Sequence, residues 1–261
     1  MALQLVTIEG NIGTGKTTIA SHVANYMPAM KFFPAPEPED NPHYAAFLHE
    51  PKAHALAMQS WFLRERCRVY MSALRFMAEE RKSVILDFSI WSDTIFARRH
   101  LDEGLMTPAQ YAEYQQLERS IQALNLPPPH LSIVLHATPS ICLERCEGSR
   151  TRRVSKPRLE QLQRLDELYD QRWLRDIDKA FKLRFVQDKR PQPSPAEGGL
   201  PAAPSLMVLV RDWSDLTRVK ASAIADAVMS TPPVPLEQWL SSSLSAANVT
   251  KAEAIIAAGA A

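Results

Sequence analysis

Leu3-Gln-Leu-Val-Thr-Ile-Glu-Gly10-Asn-Ile-Gly13-Thr-Gly15-Lys16-Thr17-Thr18 is the stretch on which the fold turns. An apolar, β-branched run comes first and predicts a strand over Leu3–Ile8. The pattern G-x-x-x-x-G-K-T follows from Gly10 to Thr17, and a helical pattern runs over Lys16–Met27. Strand, glycine-rich turn, then helix is the context that a phosphate-binding loop (P-loop) requires. Its glycines let backbone N–H groups converge on phosphate oxygens at the positive end of the helix. Gly10, Asn11, Gly13, Gly15, Lys16, Thr17 and Thr18 are therefore the candidate nucleotide-binding residues. Lys16 is expected to reach the β and γ phosphates of ATP or another nucleoside phosphate, and Thr17 to hold Mg²⁺.

Outward from this loop, short apolar runs alternate with amphipathic helical stretches, the signature of a parallel sheet covered on both faces. Further strands are expected at Met30–Phe33, Val84–Leu86, Leu131–Leu135 and Leu206–Val210. Helices are expected at Ala53–Glu80, Trp91–Glu103, Pro108–Leu124, Pro139–Cys146, Pro157–Phe185 and Leu216–Met229. Thr107, Pro108 and Gln110 form a T-x-x-Q start signal for the helix at Pro108. The fold class is thus α/β: a doubly wound, five-stranded parallel sheet with helices on both faces and a C-terminal tail. Residues 1–230 make the P-loop domain, with an excursion loop rich in Pro, Gly and Ala at 189–205. Residues 231–261 form an extension with a helix near Lys251–Ala258, expected to dock on a partner.

The chain has 261 residues, 46% hydrophobic and 23% charged, as an ordinary globular domain does. Its net charge of +1 provides no global attraction to nucleic acid or anionic membrane. No apolar run approaches the roughly 18 residues of a membrane span, and no leader precedes the first strand, which points to the cytosol or to import without a visible signal. Cys67, Cys142 and Cys146 offer neither a disulfide framework nor a paired metal motif. Cys142 and Cys146, one helical turn apart, are expected to pack in the core.

Several motifs beyond the P-loop resemble those of the deoxynucleoside kinase family. Pro36-Glu37-Pro38-Glu39-Asp40-Asn41-Pro42 looks like its E-P-x-x-N-P variant, and Met58-Gln59-Ser-Trp61-Phe-Leu-Arg64-Glu-Arg66 like its base-reading helix. Leu86-Asp87-Phe88-Ser89-Ile-Trp-Ser-Asp93 is similar to the D/E-R-S strand end, and Cys142-Leu-Glu-Arg145 with Arg150-Thr-Arg152-Arg153 to the arginine-rich lid, 147–156. The resemblance implies Glu37 as the carboxylate that accepts the proton of a 5′-hydroxyl. It implies Lys16, Arg145, Arg150 and Arg152 around the transferred phosphoryl group. Gln59, Arg66, Asp87 and Asp93 are the implied substrate residues. The amide of Gln59 can pair bidentately with a base edge, and Arg66 lies two helical turns along the same face.

Three positions depart from the family pattern. Phe88 replaces its arginine, Leu48 stands where a tyrosine reads the sugar 3′-hydroxyl, and Val154, Ser155 and Lys156 follow the lid arginines without a glutamate. Loss of one preorganised cation typically costs on the order of a hundredfold in rate. A related lineage serves as an accessory subunit of mitochondrial respiratory complex I. The chain shares with it Gln59–Trp61, Ser89–Asp93 and Pro128–Leu131. These departures favour a nucleotide-binding protein of weak or no turnover, an accessory subunit with protein partners on the mitochondrial matrix side. The alternative is a working, homodimeric, cytosolic deoxynucleoside kinase in which Arg64 or Arg66 stands in for the lost arginine.

Overall fold

The structure, a computed structural model, describes residues 3–148, 156–169, 184–185, 207–212, 224–226, 228, 240–241 and 243–258. In chain order these give β1 (Leu5–Gly10), α1 (Lys16–Tyr26), β2 (Met30–Phe33), α2 (Tyr44–His49), α3 (Pro51–Glu80), β3 (Ser83–Asp87) and α4 (Asp93–Asp102). Next come α5 (Pro108–Gln122), β4 (Leu131–His136), α6 (Pro139–Gly148), α7 (Leu159–Leu168), β5 (Arg184–Phe185), β6 (Met207–Asp212) and α8 (Ala246–Ala257). The strands form one sheet of order β2-β3-β1-β4-β6-β5, with parallel pairings throughout. All five expected strands are present, and a two-residue edge strand, β5, makes a sixth. That strand ends the expectation of a helix through Phe185. Helical residues start there as expected, at Leu159, but Arg184 and Phe185 pair with Met207 and Val208.

β1 lies in the middle of the sheet, buried along its whole length, as a central parallel strand must be. Successive residues face opposite layers. Leu5 joins Val84 and Leu86 in the core beneath α3 and α5, whereas Val6 and Ile8 join Ile85, Leu131 and Ile133 beneath α1. Chain order reverses across β1, with β3 on one side and β4 on the other, so a crevice opens at its carboxyl end. The P-loop stands in that crevice. The box at Thr107 forms as expected: Gln110 N donates to Thr107 Oγ1, and Thr107 N donates to Gln110 Oε1. The short helix α2 escaped the sequence reading because six residues carry too little periodicity.

The thiols behave as core residues. Burial pushes Cys67 up to about 12 and Cys142 up to about 11, so both stay protonated at neutral pH.

The C-terminal extension lies, over residues 240–258, against its own chain. Leu240 and Ala252 enter the core under α3 and α5. Asn248 Nδ2 donates to Leu124 O at 2.9 Å, and Arg64 Nε donates to Ile255 O at 3.0 Å. α8 is also longer than expected, because Ser245 caps it six residues before Lys251. Placing a charge at Ala252, 1% exposed, would separate α8 from α3. Ala252→Asp is expected to cost about 2–3 kcal/mol, lowering the melting temperature by roughly 5–10 °C in calorimetry.

Candidate active site

The P-loop backbone is held in left-handed conformations that favour glycine. Gly10, Gly13 and Gly15 have φ of 136°, 84° and 94°. A Cβ on Gly13 would lie 2.4 Å from the carbonyl oxygen of Cys142, because α6 packs directly on the loop. Asn11 is locked from both ends: its Nδ2 donates to Leu162 O at 2.7 Å, and its Oδ1 accepts from Ile12 N at 2.8 Å. Its carbonyl receives Lys16 Nζ at 2.9 Å, which holds the ammonium over the loop. Arg145 reaches the same loop, with Nη1 donating to Thr14 O at 3.3 Å. Arg150 and Arg152 lie outside the described residues, as does the 189–205 loop. Thr18 is exposed on the first turn of α1.

Thr17 Oγ1 donates to Asp87 Oδ2 across a short contact, and Asp87 Oδ1 is buried without a hydrogen-bond partner among the described residues. Sequence reasoning placed Asp87 on the substrate. The geometry puts it beside the metal candidate Thr17 instead. A hydroxyl next to a free carboxylate oxygen, with phosphates to come, is a donor set that fits a hard divalent cation such as Mg²⁺.

From this loop a cavity of about 720 Å³ extends outward. Lys16, Thr17, Glu37, Asp87, Gln59 and Arg66 all line it. Glu37 is an exposed residue at the cavity wall, just before a 3₁₀ turn at Pro38–Asp40. Asn41 fixes that loop to α3: its Nδ2 donates to Met58 O at 3.0 Å, and its Oδ1 accepts from His43 N at 2.9 Å. Phe62 faces the cavity, whereas Trp61 does not line it.

The deep end is a buried polar cluster centred on Asp93. Oδ2 of Asp93 accepts from Gln59 Nε2 at 2.8 Å and from Tyr114 OH at 2.7 Å, while Oδ1 meets Arg66 Nη1 in an ion pair. Asp93 is 0% and Arg66 12% exposed. Burial pulls the guanidinium down to about 10, with the surrounding tyrosines and carboxylates opposing, so it stays charged at neutral pH. Its carbon lies 4.6 Å from the Phe88 ring centre, 5.3 Å from Phe62 and 5.8 Å from Phe96. Phe88 has φ +75°, a left-handed conformation that costs a bulky residue roughly 1–3 kcal/mol. That backbone turn carries the ring over Arg66, and Lys16 Nζ lies 5.8 Å from the centre of the same ring.

A model of the deoxynucleoside kinase family matches residues 6–192. The chain belongs to the deoxynucleoside kinase family. It is 32% identical over 166 residues to a deoxyguanosine kinase of Dictyostelium discoideum, covering 64% of this chain and 57% of that protein. It is 28% identical over 145 residues to the deoxyadenosine/deoxycytidine kinase of Bacillus subtilis (strain 168), covering 55% and 64%. It is also 23% identical over 209 residues to the mitochondrial NADH dehydrogenase (ubiquinone) 1 alpha subcomplex subunit 10 of Bos taurus, covering 71% and 56%. The chain thus spans less than two thirds of the length of these curated relatives. Its fold superposes on deoxyadenosine kinase from M. mycoides with bound dATP at a TM-score of 0.64, with 18% identity, over 87% of this chain and all of that one.

In this member of the family, the structure brings Gln59 and Arg66 together on Asp93 behind the cavity wall, and Lys16, Thr17 and Asp87 at its phosphate end. It removes Arg64 from the site, since its Nε is turned away to α8. Leu48 lies at the cavity wall, 42% exposed, with nothing polar to offer a hydroxyl. Tyr114, Phe96 and Glu9 belong to the site's surroundings and were not picked out as site residues from the sequence. Tyr114 is 55 residues from Gln59 along the chain, and no local pattern joins them. Among the described residues, no helix is long and apolar enough to cross a membrane.

Asp93→Ala would leave the Arg66 charge buried and unpaired. It is expected to cost about 3–5 kcal/mol in chemical unfolding. Gly13→Ala is expected to abolish nucleotide binding in a titration while leaving the Asp93 cluster in place, because the added methyl displaces the loop rather than the core.

Proposed function

We propose that the chain transfers the terminal phosphoryl group of a nucleotide on its P-loop to the 5′-hydroxyl of a deoxynucleoside in the adjoining cavity. The observation that carries this reading is the Asp93 cluster: its partners Gln59 and Arg66 line the same cavity as Lys16, Thr17 and Glu37, and form a buried polar end suited to reading a base. With one Gln59 N–H given to Asp93, its carbonyl and second N–H remain for a base edge. Phe62 and Phe96 supply flat apolar walls for the base. The names of the relatives make deoxyguanosine and deoxyadenosine the first substrates to test.

In the transfer, the 5′-oxygen bonds to the γ-phosphorus as the bond to the β,γ-bridging oxygen breaks. The hydroxyl proton passes to Glu37, and a nucleoside diphosphate leaves. Lys16 and Arg145 oppose the charge spreading over the phosphoryl oxygens. Mg²⁺, where bound by Thr17 and Asp87, supplies charge neutralisation at the β and γ phosphates. Arg66 is tied to Asp93 and so reads the base end; it does not replace the cation that Phe88 displaces. Turnover is accordingly slow.

A second reading is an accessory subunit of a mitochondrial assembly that binds nucleotide without turning over. The phenylalanine at 88 and the bovine complex I relative support it. A coupled assay with ATP, Mg²⁺ and the four deoxynucleosides separates the two. Turnover of about 0.1 per second or more supports the kinase. Glu37→Gln is then expected to lower kcat by roughly 10²–10⁴ with nucleotide affinity unchanged. Tight nucleotide binding with no turnover, in a protein that co-migrates natively with partner subunits, sinks the kinase reading in favour of the accessory one.

A further inference from the structure

Glu9 immediately precedes the first P-loop glycine and is fully buried. Burial raises its carboxyl above the ordinary carboxylate range, against the hydrogen bond from Ser92 and the charge of Lys16. Its Oε2 accepts from the Ser92 hydroxyl at 2.7 Å, and its Oε1 has no hydrogen-bond partner among the described residues. Ser92 is the residue before α4, the position where serine ordinarily caps a helix. Its side chain makes no such cap. The hydroxyl is turned to the P-loop strand instead, with Ser89 Oγ 3.4 Å behind it. The next residue is Asp93, which gathers Gln59, Arg66 and Tyr114. One peptide unit therefore separates Glu9 from the phosphate loop, and one separates Ser92 from the base-reading carboxylate.

We propose that the Glu9–Ser92 hydrogen bond is a positioning link that makes nucleotide binding at the P-loop and deoxynucleoside binding at Asp93 mutually reinforcing. The inference rests on reading the cavity as a deoxynucleoside site. Fixing the P-loop around a polyphosphate immobilises Gly10 and hence the Glu9 carboxyl. Through Ser92 that carboxyl holds the first turn of α4, so Asp93 meets its three partners already ordered. Coupling of this kind is reciprocal: each ligand tightens the other by the same factor.

The test is titration calorimetry of deoxyguanosine into the intact chain, with and without the β,γ-imido analogue of ATP and Mg²⁺. Wild type is expected to bind at least about fivefold tighter when the analogue is present. Glu9→Ala and Ser92→Ala are each expected to cut that factor below about twofold. The double variant is expected to be no worse than either, with affinity for the analogue alone unchanged. Glu9→Gln is expected to keep the coupling, because its carbonyl oxygen still accepts from Ser92. Coupling that survives Ser92→Ala, or collapse in Glu9→Gln as deep as in Glu9→Ala, overturns the link. Should Glu9→Ala fail to fold, Ser92→Ala, which removes one hydroxyl, decides. Wild-type binding of deoxyguanosine without coupling sinks this inference alone. No binding of any of the four deoxynucleosides, with or without the analogue, sinks the cavity reading and the link together.

Discussion

A guanidinium packed among three phenyl rings meets one buried carboxylate, and the ion pair between Arg66 and Asp93 fixes much else in the molecule. The pair joins α3 to the start of α4. Tyr114 on α5 and Gln59 on α3 then both donate to Oδ2 of Asp93, so three helices are pinned at one point. Burying two opposite charges is at best close to break-even, and removing either partner is strongly unfavourable. The arrangement therefore specifies geometry more than it adds stability. On the function proposed above, it would set the spacing between a base-reading end and the phosphate loop, which is the quantity a phosphoryl-transfer site must control to within a fraction of an ångström.

Phe88 is the point where the phosphate and base ends compete. It follows Asp87, whose carboxylate lies against Thr17, and its ring covers Arg66 while facing Lys16. An aromatic ring there shields the buried cation and strengthens its stacking, which favours a rigid base end. It contributes no charge to a phosphoryl group in flight, which weakens the chemical step. The same substitution thus supports binding and penalises turnover. On the proposed reading, nucleoside affinity and rate need not change together, and the slow kinase and the accessory subunit differ mainly in how far that penalty extends.

The sheet was legible because its signals are local. β1, the glycines and α1 occupy consecutive residues, and the capping box at Thr107 is written within four. Gln59 and Arg66 were legible as a pair because seven residues bring a helix back to the same face. What stayed hidden depends on the third dimension. Nothing near Tyr114 announces that its hydroxyl ends on Asp93, and nothing near Ser92 announces that it abandons a cap for Glu9. Asp87 was assigned to substrate because the motif places it at a strand end. Its partner turned out to be Thr17, seventy residues away. Arg64 and Arg66 were equal candidates in one dimension and lie on opposite faces of α3 in three.

Those opposite faces give the C-terminal segment a consequence for the site. Arg64 is held by the last turn of α8 through Ile255 O, and two residues later Arg66 is held by Asp93. α3 is thirty residues long, about 45 Å at 1.5 Å per residue, and a helix of that length bends readily unless both faces are restrained. Here the restraint on the outer face falls at the same turn as Arg66 on the inner one. Ala252 and Leu240 press the tail onto α3 by apolar burial, a force without direction, while the Arg64 and Asn248 hydrogen bonds fix its register. The tail is therefore part of what positions Gln59 and Arg66, although none of its described residues lines the cavity.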